Sequence, residues 1–483
     1  MRAGDCVTAE ALVALLLNDM RNDNSTHRVI QYLRHLAAGQ EGGTRLPSVR
    51  ALMRMLGAGP VTIAAAIRRL AEEGLVDARP GLGTFVAAPA EAKGPAAADL
   101  AWQTVALGPT RGSTEALAEL ALVPTPAALA LNAGYLPEDL QAGTLIGAAA
   151  ARALRRPGVW GRMPPEGLHA LRAWFAVAAD SFRPHEVTIC PGTQAALAAA
   201  FRALALPGDP VLMESPTYVG ALAAARAAGL RPVAVPIDES GLRPELLETS
   251  FRASGARLLY CQPTYANPTG AVLTAERRAA VLDIVHQAGA FAIEDDWARD
   301  FSLEGSAAPA PLAALDPAGH VILVRSLTKC AAPGLRIGAI AARGAALERL
   351  RAARLIDDFF VPGILQETAV QLVTAPAWER HLRRLRTALR ARRDALAGEL
   401  RRAFGPPCLA HLPAGGLHLW VRLPEGVSDI EACERARRAD ILVSAGRHWF
   451  PAEPPGSYLR LSFAALAPEA AGEAVARLVG AIG

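Results

Sequence analysis

The stretch SLTKCAAPGLRIG, Ser326 to Gly338, holds one of only two lysines in a chain of 483 residues. The other is Lys93, and the remaining 48 of the 50 basic residues are arginine. A chain that writes nearly every positive charge as arginine has kept an amine at Lys329. Guanidinium does not deprotonate in proteins whereas a buried ammonium can, so lysine alone offers a neutral amine to a carbonyl. Lys329 is therefore a candidate for Schiff-base chemistry. Ser326 and Thr328 set hydroxyls beside it, and Arg336 follows a Pro-Gly turn, a combination suited to holding a phosphate. An aldehyde cofactor carrying a phosphate satisfies both halves.

Outward from this stretch, helical and strand-like runs alternate, the pattern of a largely parallel α/β sheet. Such sheets bind ligands at the carboxyl ends of their strands. ARLLYCQPTYANPTG is an apolar run entering a turn at Asn267, AFAIEDDWARDF ends in Asp295 and Asp296, and GHVILVRSLTK ends at Lys329. VTICPGTQAALAAAFRALAL reads as strand, glycine turn and helix. That puts Gly192, Thr193 and Gln194 at a helix N-terminus, where free N–H groups and the dipole favour a phosphate. VLMESPTYVGA places Tyr218 just past a strand, where its ring can stack on a flat cofactor. Singly, each residue has an ordinary reading as turn former, strand-end acid or packed ring. Together, a lysine for a Schiff base, a carboxylate for a pyridinium nitrogen, an amide for a phenolic oxygen and phosphate-binding turns specify pyridoxal 5'-phosphate (PLP).

The N-terminal region carries a different signal. Between His27 and Val86 stand eight arginines against four acids, so the whole net charge of +4 sits in this segment and the rest is balanced. Such asymmetry points to a polyanionic partner. Two helices are expected over Thr8–Met20 and Ser25–Ala38. Ser48 can cap a third, with Val49, Leu52, Met53 and Leu56 inward and Arg50 and Arg54 on another face. A glycine-bounded turn leads into PVTIAAAIRRLAEEGL, where Ile63, Ile67 and Leu70 form the inward stripe and the small residues Thr62, Ala65 and Ala66 can approach a groove. LVDAR and GTFVAA, joined by PGLG, read as a hairpin wing.

TRLPSVRAL followed by PVTIAAAIRRLAEEGLVDARPGLGTFV resembles the winged helix-turn-helix of GntR-type bacterial transcription regulators. By motif position the resemblance makes Arg50 a phosphate or base contact, puts Thr62 on the recognition helix and assigns Arg79, Gly81, Gly83 and Thr84 to the wing. The family often has a basic residue near the start of the recognition helix, where this chain has Gly59 and Pro60. From about Leu129 onward the chain resembles a fold type I, aspartate-aminotransferase-like domain. That resemblance implies Lys329 as the Schiff-base lysine, Asp295 on the pyridine nitrogen, Asn267 on the ring oxygen and Tyr218 stacked on the ring. It implies Gly192, Thr193, Gln194, Ser326, Thr328 and Arg336 around the phosphate. YLRLSFA matches the strand carrying the substrate-carboxylate arginine, here Arg460, and arginine suits a bidentate carboxylate. Trp297 stands where the family commonly has a tyrosine, and Trp160 precedes Gly161 where the family often has Tyr-Gly.

The expected organisation is a multidomain chain: a winged helix-turn-helix (α+β) DNA-binding domain over 1–88, a linker over 89–112 rich in Ala, Pro and Gly, and an α/β body over 113–483. This is the architecture of MocR-type regulators. It implies a PLP-dependent transcription factor that is a homodimer, with a double-stranded DNA operator and an amino acid or PLP as effector. The alternative is a PLP-dependent aminotransferase acting on an amino acid and carrying a DNA-binding head, since every residue of the first half-reaction is present. Trp297 departs from the catalytic pattern while the head keeps its cap, turn and wing, which favours the regulator. The six cysteines form no CxxC pair, so reduced thiols are expected and no metal site. No apolar run near the start is long enough to span a bilayer, and the chain reads as cytoplasmic.

Overall fold

The computed structural model describes residues 25–38, 40, 42–87, 99–108, 115–125, 128–179 and 182–482. The chain divides into two compact units, Met1–Gly108 and Pro109–Gly483. The helix expected at Thr8–Met20 and the lysine at 93 lie outside the described residues.

In the first unit, helices α1 (Ser25–Ala38), α2 (Val49–Leu56) and α3 (Pro60–Glu72) precede a hairpin of β1 (Val76–Arg79) and β2 (Gly83–Val86). Ser48 Oγ accepts from Ala51 N at 3.3 Å and starts α2, while Gly57, left-handed at φ 57°, stops it. Pro60 opens α3, where its missing N–H would have been unpaired in any case. Leu52, Ile63, Ile67 and Leu70 form one core with Val29 and Leu33 of α1. Two expectations are corrected. Val49, expected inward, is 39% exposed, because the short α2 reaches the core through Leu52 one turn later. Ala66, expected to face a groove, is fully buried: it sits three residues after Ile63 and thus on the inward side. The hairpin pairs from Val76↔Val86 to Arg79↔Gly83, and Leu46 N donates to Thr84 O at 2.8 Å, adding an edge to the wing.

The stretch expected to be a plain linker contains a helix, α4 (Ala101–Leu107). Asp99 Oδ1 accepts from Ala101 N at 3.0 Å beside its start. All its side chains are exposed, so no apolar face marked it in the sequence.

The second unit opens on a short helix, α5 (Glu115–Ala121), and is built on an eight-stranded sheet. In chain order its strands are β3 (Val187–Cys190), β4 (Pro210–Ser215), β5 (Arg231–Asp238), β6 (Gly241–Leu242), β7 (Leu258–Cys261), β8 (Phe291–Asp296), β9 (Val321–Ser326) and β10 (Gly338–Ala341). Their spatial order is β3-β10-β9-β8-β7-β4-β5-β6. β10 runs antiparallel to both neighbours and β6 antiparallel to β5, while the remaining pairs are parallel. Both faces are covered, and successive residues alternate between two cores. Met213, Tyr260, Ile293 and Ile322 pack with Phe201 of α6 (Thr193–Leu204) and Leu222 of α7 (Val219–Ala227); Leu212, Leu259, Ala292 and Leu323 belong to the other core. Burial on both faces is why these strands read as unbroken apolar runs.

Beyond the long helix α8 (Pro376–Phe404), a smaller sheet joins β11 (His418–Arg422), β12 (Ser444–Ala445) and β13 (Tyr458–Ser462) in the antiparallel order β11-β13-β12. Among the described residues no helix is long and apolar enough to cross a membrane.

Candidate functional site

The strand ends of the large sheet and β13 of the small one enclose a cavity of about 490 Å³. Thr193, Gln194, Tyr218, Asn267, Asp295, Lys329, Arg336 and Arg460 all line it. The other three expected cofactor residues stand behind its wall. Gly192 has φ 91°, and a Cβ there would lie 2.6 Å from Arg336 Nη2, so glycine is what lets the guanidinium occupy this corner. Thr328 donates its hydroxyl to Ile337 O at 3.3 Å and ties the two limbs of the lysine turn together. Ser326 is buried at the end of β9.

Lys329 stands three residues beyond β9, half-buried in the cavity wall. Its Nζ donates to Gly134 O at 2.7 Å and lies 3.9 Å from the centre of the Tyr135 ring. Desolvation, and then the charges of Arg460 and Arg336, push its pKa down to about 7 against the opposing pull of Asp295. The amine is thus poised between ammonium and nucleophile at neutral pH.

Asp295 is the fifth residue of β8, with its carboxylate buried. Oδ2 accepts from Tyr260 Oη at 2.8 Å and from Gln262 Nε2 at 3.3 Å, whereas Oδ1 is buried with no hydrogen-bond partner among the described residues. Burial raises its pKa to about 6, with Tyr260 and Gln262 opposing the rise. Asn267 stands on the turn after β7. Its backbone N–H donates to Gln262 Oε1 at 2.9 Å, and its own Oδ1 is likewise buried and unpartnered among the described residues. Tyr218 precedes α7 and donates to Gln194 Oε1 at 3.1 Å. Arg336 holds a left-handed backbone, φ 48°, and donates from Nη2 to Pro191 O at 3.2 Å. Strained non-glycine backbone of this kind clusters at functional sites.

Arg460 on β13 is 1% exposed. Nη2 donates to Asn132 O and to Ser444 Oγ at 3.4 Å, and the guanidinium lies 4.5 Å from the Trp449 ring centre. Its Nε has no partner among the described residues. Burial lowers its pKa to about 9, which leaves it charged at neutral pH.

Several wall residues were not singled out in the sequence. Tyr135 and His418 carry no local signal, because their place depends on contacts across distant parts of the chain. Gln262 adjoins the predicted strand end and was within reach of the same argument as Asn267. Leu117, Leu120 and Ala121 of α5 also line the cavity, and their i, i+3, i+4 spacing marks one helical face. Trp297 stacks on His418 with centroids 5.7 Å apart, its Nε1 buried without a partner among the described residues. Trp160 is 73% exposed and is not on this wall.

In the first unit Arg50 and Arg54 on α2 and Arg68 on α3 are exposed, and Thr62 is half-buried. Val61 at the start of α3 is 81% exposed, an apolar side chain the charge pattern did not reveal. On the wing Arg79 pairs with Asp77 at 2.8 Å and lies 4.9 Å from the Phe85 ring centre; Gly81, Gly83 and Thr84 form its tip and returning strand. A Cβ on Gly83 would stand 3.0 Å from Arg45 Nε.

A helix-turn-helix with a hairpin wing, joined to a strand-end pocket of lysine, aspartate and arginine, defines a DNA-binding unit fused to an aminotransferase-like domain. Residues 27–86 match the gntR family of bacterial regulatory proteins, and residues 129–478 match aminotransferase class I and II. The chain is 28% identical to the uncharacterized HTH-type transcriptional regulator YisV of Bacillus subtilis strain 168, over 88% of this chain and 90% of that protein. It is 31% identical to a 2-aminoadipate transaminase of Thermus thermophilus, over 74% of this chain and 91% of the transaminase. A crystal structure of LysN, an alpha-aminoadipate aminotransferase from Thermus thermophilus complexed with N-(5'-phosphopyridoxyl)-L-leucine, superposes with a TM-score of 0.70 at 30% identity, over 76% of this chain and 96% of that one. The chain belongs to the aminotransferase class I and II family, whose cofactor is PLP, and carries a GntR-family helix-turn-helix ahead of that domain, the MocR-type architecture. It is a GntR-type regulator with an aminotransferase-like body.

Gly192→Ala places a methyl group against Arg336. The expected outcome is PLP affinity reduced on the order of tenfold, since a charged hydrogen-bonding partner is displaced. Fluorescence titration with PLP measures it, and an unchanged far-UV spectrum shows that the fold survives.

Proposed function

We propose that this protein is a homodimeric transcriptional regulator that binds operator DNA through its first unit and senses an amino acid, or PLP itself, in the pocket of its second. The observation that carries this reading is the Lys329 amine, brought to about 7 in a pocket whose remaining charged groups are each matched to one part of an amino acid or of PLP.

The residues fit the cofactor. Asp295 Oδ1 is a buried acceptor with no partner among the described residues, and a pyridinium N–H is a donor of the kind it lacks. The Asn267 amide can donate from Nδ2 to the ring oxygen. Arg336 and the backbone N–H groups at the start of α6 hold the phosphate, and Tyr218 offers its ring. PLP supplies an aldehyde open to amines and a ring that withdraws electrons. Lys329 presents the neutral amine, and Asp295, when ionised, keeps a proton on the pyridine nitrogen. Arg460 orients an incoming carboxylate, its guanidinium fixed by Asn132, Ser444 and the Trp449 ring. Leu117 and Leu120 of α5 add an apolar stretch to the wall of the cavity that holds the lysine.

A ligand regulates DNA binding only if it favours one arrangement of the protein over another. An amino acid that takes the place of Lys329 while Arg460 holds its carboxylate provides such a bias without completing a turnover. A second reading, an aminotransferase with a DNA-binding head, is favoured by the completeness of the same pocket, in which Lys329, Asp295 and Arg460 all stand. Against it, Trp297 brings an indole with no phenol to the wall.

Fluorescence anisotropy on DNA from upstream of the protein's own and adjoining genes, with and without PLP, separates the two readings. Sequence-preferring binding that responds to PLP or an amino acid is the expected result; weak binding, equal on a scrambled fragment and indifferent to PLP, would sink the regulator. In the same assay Arg50→Ala is expected to lower the salt-dependence slope by about 1, the loss of one phosphate contact.

Arg460→Ala is expected to abolish the response to amino acids while PLP stays bound, as read by absorbance beside anisotropy. The rate of PLP uptake by the cofactor-free protein is expected to rise as pH passes from about 6 to 8 and then level off. The sign follows from Lys329, whose pKa is lowered to about 7 so that deprotonation is nearly complete above it. A rate still climbing at pH 9 to 10, toward the ordinary lysine value, would show that the pocket leaves the amine unperturbed.

A further inference from the structure

A second cavity in the body, of about 790 Å³, opens between residues 299–308, which follow β8, and the middle of α8. Arg299, Arg383, Arg386 and Arg390 line it, with Asp300 the acid on its wall. Ion pairs bring in Arg325 and Arg393 and the carboxylates of Asp296, Glu304 and Asp394. Six guanidiniums therefore face four carboxylates, and two positive charges are left over in this cluster.

The surplus can be located. Arg383 is exposed and forms no ion pair among the described residues. Arg299 gives Nε to Asp296, but its Nη2 is buried with no partner among the described residues, a donor whose desolvation nothing repays. Arg386 is held in place by donating from Nε to Asp300 O at 2.8 Å, and Arg390 pairs with Glu304 at 3.2 Å. The cavity is in the size range of small-molecule sites. Guanidinium forks match the paired oxygens of carboxylate and phosphate. A concave, partly preorganised cluster with a surplus of two charges suits a compact ligand of charge near −2, whereas a duplex backbone presents a convex rail of single charges.

We propose that this cavity is a binding site for a small organic dianion, a phosphate monoester or a dicarboxylate, separate from the cofactor pocket. The two chemistries share the same guanidinium contacts, so the test uses one probe of each. The PLP-loaded full-length protein is titrated calorimetrically with glycerol 3-phosphate and with succinate at constant ionic strength. Each titration is repeated on Arg460→Ala, which removes the carboxylate site of the cofactor pocket.

The expected result is saturable binding of at least one probe, one per chain, that persists in Arg460→Ala. That binding is expected to weaken about tenfold or more in the double variant Arg383→Gln/Arg390→Gln. Both substituted side chains are exposed, and an unchanged thermal midpoint verifies that the variant is folded. The better of the two probes identifies phosphate or carboxylate as the natural group. Absence of saturable binding by either probe overturns the proposal, as does binding that the double variant retains. A double variant that loses affinity only for DNA also overturns it, and assigns these arginines to a nucleic-acid backbone instead.

Discussion

A lysine amine stays neutral near pH 7 only where leaving water costs the ammonium more than its neighbours return. The body of this protein is arranged around meeting that condition at Lys329. The sheet carries the lysine, an aspartate and an asparagine to one edge, and β13 brings Arg460 to the same space. Two guanidiniums disfavour a third positive charge, while the one nearby carboxylate, Asp295, itself raised to about 6 by burial, pulls the other way without outweighing the desolvation of the lysine. Lys329 therefore takes its protonation from both Arg460 and Asp295, and Asp295 is in turn lowered by the charge of Lys329.

The two units solve different electrostatic problems with the same residue. In the first, arginines stand exposed on α2 and α3 around an apolar core, where water and salt screen them and a polyanion can replace that solvent. In the second, arginines are drawn inward and must be matched, by carboxylates or by carbonyls such as Asn132 O and Pro191 O. The arginine-lined cavity beside α8 lies between these extremes, and it touches the cofactor pocket by two routes. Arg299 grips Asp296, the neighbour of Asp295, and Tyr265, two residues before Asn267, donates to Ser302 Oγ at 3.0 Å. Arg299 and Ser302 are thus each one contact away from residues close to Asp295 and Asn267.

Much of this architecture was legible before the structure. Strand-end polar residues after apolar runs are a local signal, so Asn267, Asp295 and Lys329 could be placed together, and the cap, turn and wing of the head are equally local. Features that depend on contacts between distant segments were not. Lys329 meets Gly134 across 195 positions of chain, and no property of GYLP alone foretells that meeting. The arginines of RRLRTALRARR carry no local mark of their partners, and only the fold sets some of them opposite residues 299–308. Val49 and Ala66 show a smaller limit. Periodicity gives a face of about the right width, but the edges of that face are decided by which neighbour comes close. The solvent-facing helix α4 buries nothing, so the hydrophobic pattern had no means of marking it.

The scarcity of lysine has a practical side. Chemistry directed at side-chain amines finds two addresses in this chain. Lys329 is set in the cavity wall, and Lys93 falls between the segment matched to the DNA-binding family and the segment matched to the aminotransferases. On the role proposed for Lys329, borohydride reduction of the PLP-loaded protein would mark the peptide that holds it. A lysine-specific protease has at most two bonds to cut in this chain, where trypsin has dozens.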